Sequence, residues 1–247
     1  MTGIDRHRLS FGAAADTYQR ARPTYPVEAL TWAIGEAPGR VVDLGAGTGQ
    51  LTRVALAAGF EVTPVEPDPG MRAALDAATP GTTAREGSAE SVPLPDGYAD
   101  AVVVGTAYHW FDPARAHPEI ARVLRPGGVF APMRNDRDTG VAWLARLEEI
   151  IGSAHYRQEE PAPLADVDFG PLFGPPEWAE FRHSVVQTPQ GLLDLVTTRS
   201  WYLVSPETEQ RRLAAAVREL VATHPDLAGR DGFALPYVTT VCRAARR

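Results

Sequence analysis

The stretch Val41-Val42-Asp43-Leu44-Gly45-Ala46-Gly47-Thr48-Gly49-Gln50 decides the fold of this 247-residue chain. Its first half reads as a buried strand, its second as a glycine loop opening a helix. Glycine lets the backbone turn sharply and lets a ligand approach closer than a Cβ would permit. Spacing sorts the ligands. A dinucleotide fingerprint needs its third glycine three residues after the second. Here that position is Gln50, and the third glycine comes early, at Gly49. A phosphate loop fails as well, since no Gly-Lys-Ser/Thr follows.

Outward from this loop, short apolar runs alternate with helical stretches. Strands are predicted at Arg40–Leu44, Glu61–Val65, Thr83–Glu86, Ala101–Val104 and Val129–Met133. Helices are predicted near Thr48–Ala58, Pro69–Ala78 and Pro113–Leu124, the last capped by Asp112 with proline at its first position. Strict alternation implies right-handed crossovers and a parallel sheet with helices on both faces. Beyond Met133 the alternation stops. An amphipathic helix near Val141–Ile151, a Pro/Gly-rich loop from Pro161 to Pro176, and helices starting at Thr188–Pro189 and Ser205–Pro206 follow. Two further runs, Phe181–Gln187 and Tyr237–Cys242, suit an antiparallel edge pair. The expectation is an α/β, Rossmann-like, doubly wound and mostly parallel seven-stranded sheet with a helical cap. It forms one domain: an N-terminal lid to about residue 37, a core over 38–133, and cap helices with final strands over 134–247.

Composition is that of a globular protein, with 44% hydrophobic and 22% charged residues. A net charge of −7 without a long basic run speaks against a nucleic-acid substrate. The single cysteine, Cys242, lies in an apolar stretch and excludes an internal disulfide. Met1–Arg8 lacks a signal-peptide core, and no run of about 18 apolar residues suits a membrane span. A cytoplasmic monomer or homodimer is expected. His7, His117, His155, His183 and His224 show no ligand spacing, so no metal is expected.

Glu66 stands at the end of the second strand, where a carboxylate can accept both ribose hydroxyls of an adenosine. With the glycine loop, three further segments complete a pattern: Val65-Glu66-Pro67-Asp68-Pro69-Gly70-Met71, Gly87-Ser88-Ala89-Glu90-Ser91-Val92-Pro93-Leu94-Pro95 and Leu124-Arg125-Pro126-Gly127-Gly128. Over roughly residues 38 to 132 the chain resembles the class I S-adenosylmethionine-dependent methyltransferases of the small-molecule, type 11 kind. One departure is Ser88, where that family often carries an aspartate for the adenine amine; a hydroxyl is the weaker acceptor.

The resemblance implies S-adenosylmethionine as cofactor, a small-molecule acceptor, and methyl transfer to an O, N or C atom. It assigns Asp43, Gly45, Ala46, Gly47, Glu66, Pro67, Met71, Ser88, Ala89, Glu90 and Thr106 to the cofactor. Asp43 either reaches the amino group of the methionine portion or orients the loop, and it also reads plainly as a helix cap. The segment Tyr18-Gln19-Arg20-Ala21-Arg22-Pro23-Thr24-Tyr25-Pro26 resembles the part of the family that folds over the cofactor, which adds Tyr18 and Arg22 to that set. Tyr25, Tyr108, His109 and Trp110 are candidate acceptor contacts, with His109 a candidate base. Tyr25, His109 and Trp110 also read plainly as packing residues. The rivals are a nicotinamide-dependent oxidoreductase and a non-catalytic binding module of the same fold.

Overall fold

β1 (Arg40–Leu44) is hydrophobic on both faces because helices cover both. Val42 and Leu44 enter one core, beside Ala116 and Ile120 of α4 (Pro113–Val123). Val41 enters the other, beside Leu30 of α1 (Val27–Ile34) and Leu51 of α2 (Gln50–Ala57). Each such side chain contributes about 1.5–3 kcal/mol by leaving water. The computed structural model describes residues 23–37, 39–152, 164, 167–197 and 200–247.

Two parallel neighbours flank β1. β2 (Glu61–Val65) pairs Val42 with Thr63, and β3 (Ala99–Gly105) pairs Val42 with Val102. β4 (Leu124–Arg137) lies parallel to β3, with Val103 opposite Ala131. Then the direction reverses. β6 (Phe233–Ala245) runs antiparallel to β4, and β5 (Glu177–Gln187) runs antiparallel to β6 at the edge. The order is β2-β1-β3-β4-β6-β5.

Among the described residues six strands stand where seven were expected. The run Thr83–Glu86 pairs only through one parallel bridge, Val65 to Arg85. The physical reason is local. The Ala84 amide donates to the Asp76 carboxylate of α3 (Pro69–Ala78) at 2.8 Å, outside the ladder. At Gly87 the chain passes so close to Pro93 and Val65 that no Cβ would fit. The last three strands are longer than expected, and β4 continues four residues past Met133. The predicted cap holds: Asp112 accepts from the Ala114 amide, and Asp68, not anticipated as a cap, accepts from the Met71 amide, each followed by proline.

The cap is a second core. Trp143, Leu144 and Leu147 of α5 (Ala142–Gly152) pack with Leu192 and Val196 of α6 (Pro189–Thr197). Beyond the short α7 (Ser200–Val204), Leu213 and Val217 of α8 (Glu207–Thr223) join them, as do Leu235 and Tyr237 of β6. The described end of the Pro/Gly-rich loop is anchored, since Phe169 and Phe173 are buried against Phe130. Cys242 is buried too, and burial pushes its thiol up to about 11, which makes it inert.

Candidate cofactor site

The carboxyl ends of β1, β2 and β3 meet at one edge of the sheet, where ligands of open α/β sheets bind. From β1 the chain enters the loop with Gly45, Gly47 and Gly49 all at positive φ. The amides of Gly45 and Ala46 both donate to the Val65 carbonyl of β2. A Cβ at Gly45 would stand 2.9 Å from that of Ala107, and one at Gly49 would stand 2.8 Å from Leu75 Cγ. At Gly47 it would meet nothing. Two of the glycines therefore serve packing, while the third faces open space.

Glu66 closes this loop. Its Oε2 accepts from the Gly47 amide at 2.9 Å and its Oε1 from the Asp68 amide at 2.9 Å. The residue is 7% exposed. Each carboxylate oxygen carries two lone pairs, so a carboxylate here has the acceptor chemistry that a pair of hydroxyls needs. Arg72 braces the same peptide, donating to the carbonyls of Glu66 and Pro67. Arg53 does the same for Thr48. Sequence reasoning missed both arginines, and nothing in their local pattern marks them: each is an ordinary helix residue until the loop beneath it is placed.

Asp43 shares the α2 face of β1 and is almost wholly buried. Its Oδ2 accepts from the Thr52 hydroxyl at 2.6 Å, whereas its Oδ1 is buried without a hydrogen-bond partner among the described residues. Burial pushes the carboxyl up to about 7 against the pull of the Thr52 hydroxyl and amide, with Glu66 adding repulsion. A cationic or N–H donor at Oδ1 would relieve this.

The Ser88–Glu90 turn lies beyond the Arg85 bridge. Ser88 and Ser91 exchange backbone bonds, Ala89 is buried in the core, and Glu90 accepts from the Asp112 amide at 3.0 Å. Met71 is buried at the first turn of α3. At the end of β3, Thr106 is the one non-glycine among the described residues with positive φ, +53°. A β-branched residue held there is strained, and such strain clusters at functional sites. Its hydroxyl meets the Tyr25 hydroxyl at 2.8 Å, and the Tyr25 ring lies against Gly105, where a Cβ would stand 2.9 Å from that oxygen. Tyr25 is thus docked on the strand end.

The Tyr108–Trp110 turn divides. The Tyr108 hydroxyl meets His117 Nε2 at 2.9 Å, and its ring lies among Phe111, Phe130 and Phe169, on the core side. His109 is exposed and tilts against Trp110 at 4.6 Å between ring centroids. Crowding by the surrounding chain, and then Arg134, holds its imidazole below the ordinary histidine range. The ring is therefore neutral at pH 7, a hydrogen-bonding group more than a strong base. Tyr18 and Arg22 lie outside the described residues. A hollow of about 350 Å³ opens over β4, β6 and β5 rather than over the glycine loop, lined by Arg134, Asp136, Trp178, Glu180 and Arg182 among others. Among the described residues no three His, Cys, Asp or Glu side chains could hold a metal, and no helix is long and apolar enough to cross a membrane.

Comparison with known proteins agrees with this geometry. Residues 42–131 match a family model described as a methyltransferase domain. The chain is 46% identical over 240 residues to an uncharacterized methyltransferase of Mycobacterium tuberculosis, covering 96% of this chain and 95% of that protein. It is 32% identical to an uncharacterized methyltransferase-like protein of Schizosaccharomyces pombe, covering 90% of each. In fold it is similar to a protein of Anaeromyxobacter dehalogenans described as a type II methyltransferase, with TM-score 0.55 and 23% identity over 92% of this chain and 97% of that one. The Bacillus subtilis protein YcgJ is similar as well, with TM-score 0.50 and 17% identity over 86% and 93%. With a near-complete relative at this identity and the glycine loop clasped by its acidic strand end, the chain belongs to the class I S-adenosylmethionine-dependent methyltransferases.

Proposed function

We propose that the loop of residues 45–49 and Glu66 hold S-adenosylmethionine, and that its methyl group passes to a small molecule at the neighbouring end of β3. One observation carries the reading: the 2.9 Å bond from the Gly47 amide to Glu66 joins the glycine loop and the strand-end acid into one preformed unit. The buried, unpartnered Oδ1 of Asp43 and the open space at Gly47 fit such a ligand. Glu66 takes the ribose hydroxyls, Asp43 the ammonium of the methionine portion, and the Ser88–Glu90 turn the adenine edge. Ala46, Pro67 and Met71 supply the walls, and Thr106 lies toward the reacting end. Tyr18 and Arg22 belong to the same assignment.

When bound, S-adenosylmethionine supplies a methyl already activated on a sulfonium, so the chain must chiefly bind and aim. His109, neutral at pH 7, accepts a hydrogen bond from the acceptor, with Trp110 beside it and Tyr25 framing that end, while Tyr108, called an acceptor contact from the sequence, is turned to the core and bonded to His117.

Calorimetry with S-adenosylhomocysteine and with NAD tests the cofactor, and labelled methyl transfer to a panel of small metabolites tests the reaction. Binding of NAD alone overturns the reading; binding of S-adenosylhomocysteine without transfer to any acceptor favours the non-catalytic module. Glu66→Ala is expected to weaken S-adenosylhomocysteine by roughly 1.5–3 kcal/mol, about 10- to 150-fold, the scale of a lost charged hydrogen bond. Unchanged affinity in a folded variant removes Glu66 from the site.

A further inference from the structure

β5 is the edge of the sheet, eleven residues long, and no backbone bond reaches its outer side among the described residues. A long open edge is a template for another strand, and folded proteins usually blunt it with proline, a bulge or covering chain. Here β5 pairs with β6 in unbroken register from Glu177 to Gln187. Proline stands only before it, at Pro175 and Pro176. One face of the strand carries Trp178, Glu180, Arg182, Ser184 and Val186 in alternation. Trp178 is 55% exposed and Val186 is 85% exposed.

We propose that this edge pairs antiparallel with the β5 of a second copy about a two-fold axis at Phe181, giving a homodimer with one continuous sheet. The charge pattern selects the register. A two-fold axis perpendicular to the sheet keeps each side chain on its own face, so the axis passes through a residue position, not between two. An axis at 180 sets Glu180 against its own copy, and an axis at 182 does the same to Arg182; like charges directly opposite are unfavourable. The axis at 181 sets Glu180 against Arg182 twice. The same register brings the two Phe181 rings opposite each other, with Trp32 behind each at 6.1 Å. It places Trp178 opposite Ser184 and diagonal to Val186, which covers the two most exposed apolar side chains of the strand. Pairing then ends at Glu177, where Pro176 removes the next donor.

Both charged groups are free to take part. Glu180 has no hydrogen bond or ion pair among the described residues. Arg182 donates to Asp138 at 2.5 Å and is 67% exposed, which leaves further guanidinium donors available. The residues lie outside the cofactor edge, so dimerisation and cofactor binding are separable.

Sedimentation of the purified full chain across a micromolar dilution series tests this. The wild type is expected to dimerise. Glu180→Arg and Arg182→Glu should each weaken the dimer about tenfold or more, because each converts two attractive pairs into two repulsive ones. The double exchange should restore it. Retained S-adenosylhomocysteine binding shows that a variant is folded. Should a variant unfold, Trp178→Cys with Ser184→Cys provides the check, as oxidation should link two chains covalently. A wild type that stays monomeric, a dimer indifferent to both single variants, a double exchange that fails to restore, or a cysteine pair that does not link overturns the proposal.

Discussion

Strands β1 and β2 end in segments that bond one another, whereas β4, β6 and β5 run past that edge as an antiparallel ribbon. On the first side, backbone amides of one loop find acceptors on the next strand: Gly45 and Ala46 on Val65, Gly47 on Glu66. On the second, ion pairs such as Arg134–Asp136 and Arg182–Asp138 join partly exposed side chains. The bonds on the first side tolerate few residue types, because glycine at positive φ and a strand-end carboxylate are specific demands. Surface ion pairs are worth little each and are met by many sequences. The half with the glycine loop is therefore written in motifs and the half with the antiparallel ribbon is not.

The sharpest way to break that contrast is Gly47→Ala. A Cβ at Gly47 meets no protein atom, so the cost to folding is only the left-handed backbone, of order 1 kcal/mol. If the open space belongs to the cofactor, affinity for S-adenosylhomocysteine should fall by about 100-fold or more while the melting temperature drops only a few degrees. The same change at Gly49, where Leu75 is 2.8 Å away, should damage stability first. Equal loss of stability at both positions, with binding kept at Gly47, would reduce the loop to a structural turn.

This contrast also explains what could be read in advance. Asp43, the glycine loop and Glu66 are recognisable because their spacing follows from a strand, a turn and a strand, and the structure brings them together. The third expected strand was misjudged because its propensity is strand-like, yet Asp76 of the preceding helix takes the Ala84 amide. No local rule reports such a competitor. Tyr108 and His109 are adjacent in sequence but separate in space, one bonded to His117 in the core and one exposed. Their division depends on α4 and Phe169, distant elements that the local pattern does not encode. Arg53 and Arg72, invisible in sequence, are as closely tied to the loop as the residues that were anticipated.

A middle-sized effect concerns Asp43. Its carboxyl titrates at 3.8 ordinarily and near 7 when folded. Between those values the folded chain holds a proton that the unfolded chain has released. Stability of the free protein should therefore fall as pH rises from about 4 to about 7, and level off above that. Asp43→Asn should flatten the dependence, as followed by melting temperature against pH. If an ammonium sits at Oδ1, S-adenosylhomocysteine should flatten it in the wild type too, and its binding should release protons near pH 6, measurable in buffers of different ionisation enthalpy. A slope that survives Asp43→Asn would assign the titration to another group.

The smallest effect bears on the border between the two halves, where Tyr25 meets Thr106. Two roles compete for this tyrosine. Its ring packs on Gly105 and its hydroxyl bonds the strained Thr106, which makes it a strut holding the start of α1 to the end of β3. As an acceptor contact it would instead spend its hydroxyl on substrate. Tyr25→Phe separates the two because it deletes one oxygen and leaves the ring. As a strut, the loss is one neutral, partly buried hydrogen bond, about 0.5–1.5 kcal/mol, seen as a modest fall in melting temperature with KM for the acceptor unchanged. Thr106→Gly tests the same bond from its other end. It removes the hydroxyl but also relieves the positive φ, so its net cost should be smaller than that of Tyr25→Phe. The double variant should then cost less than the two single losses combined, since both remove one shared bond. A raised KM with unaltered stability in Tyr25→Phe would move Tyr25 from the frame of the site into the acceptor pocket, and the border between the two halves would shift with it.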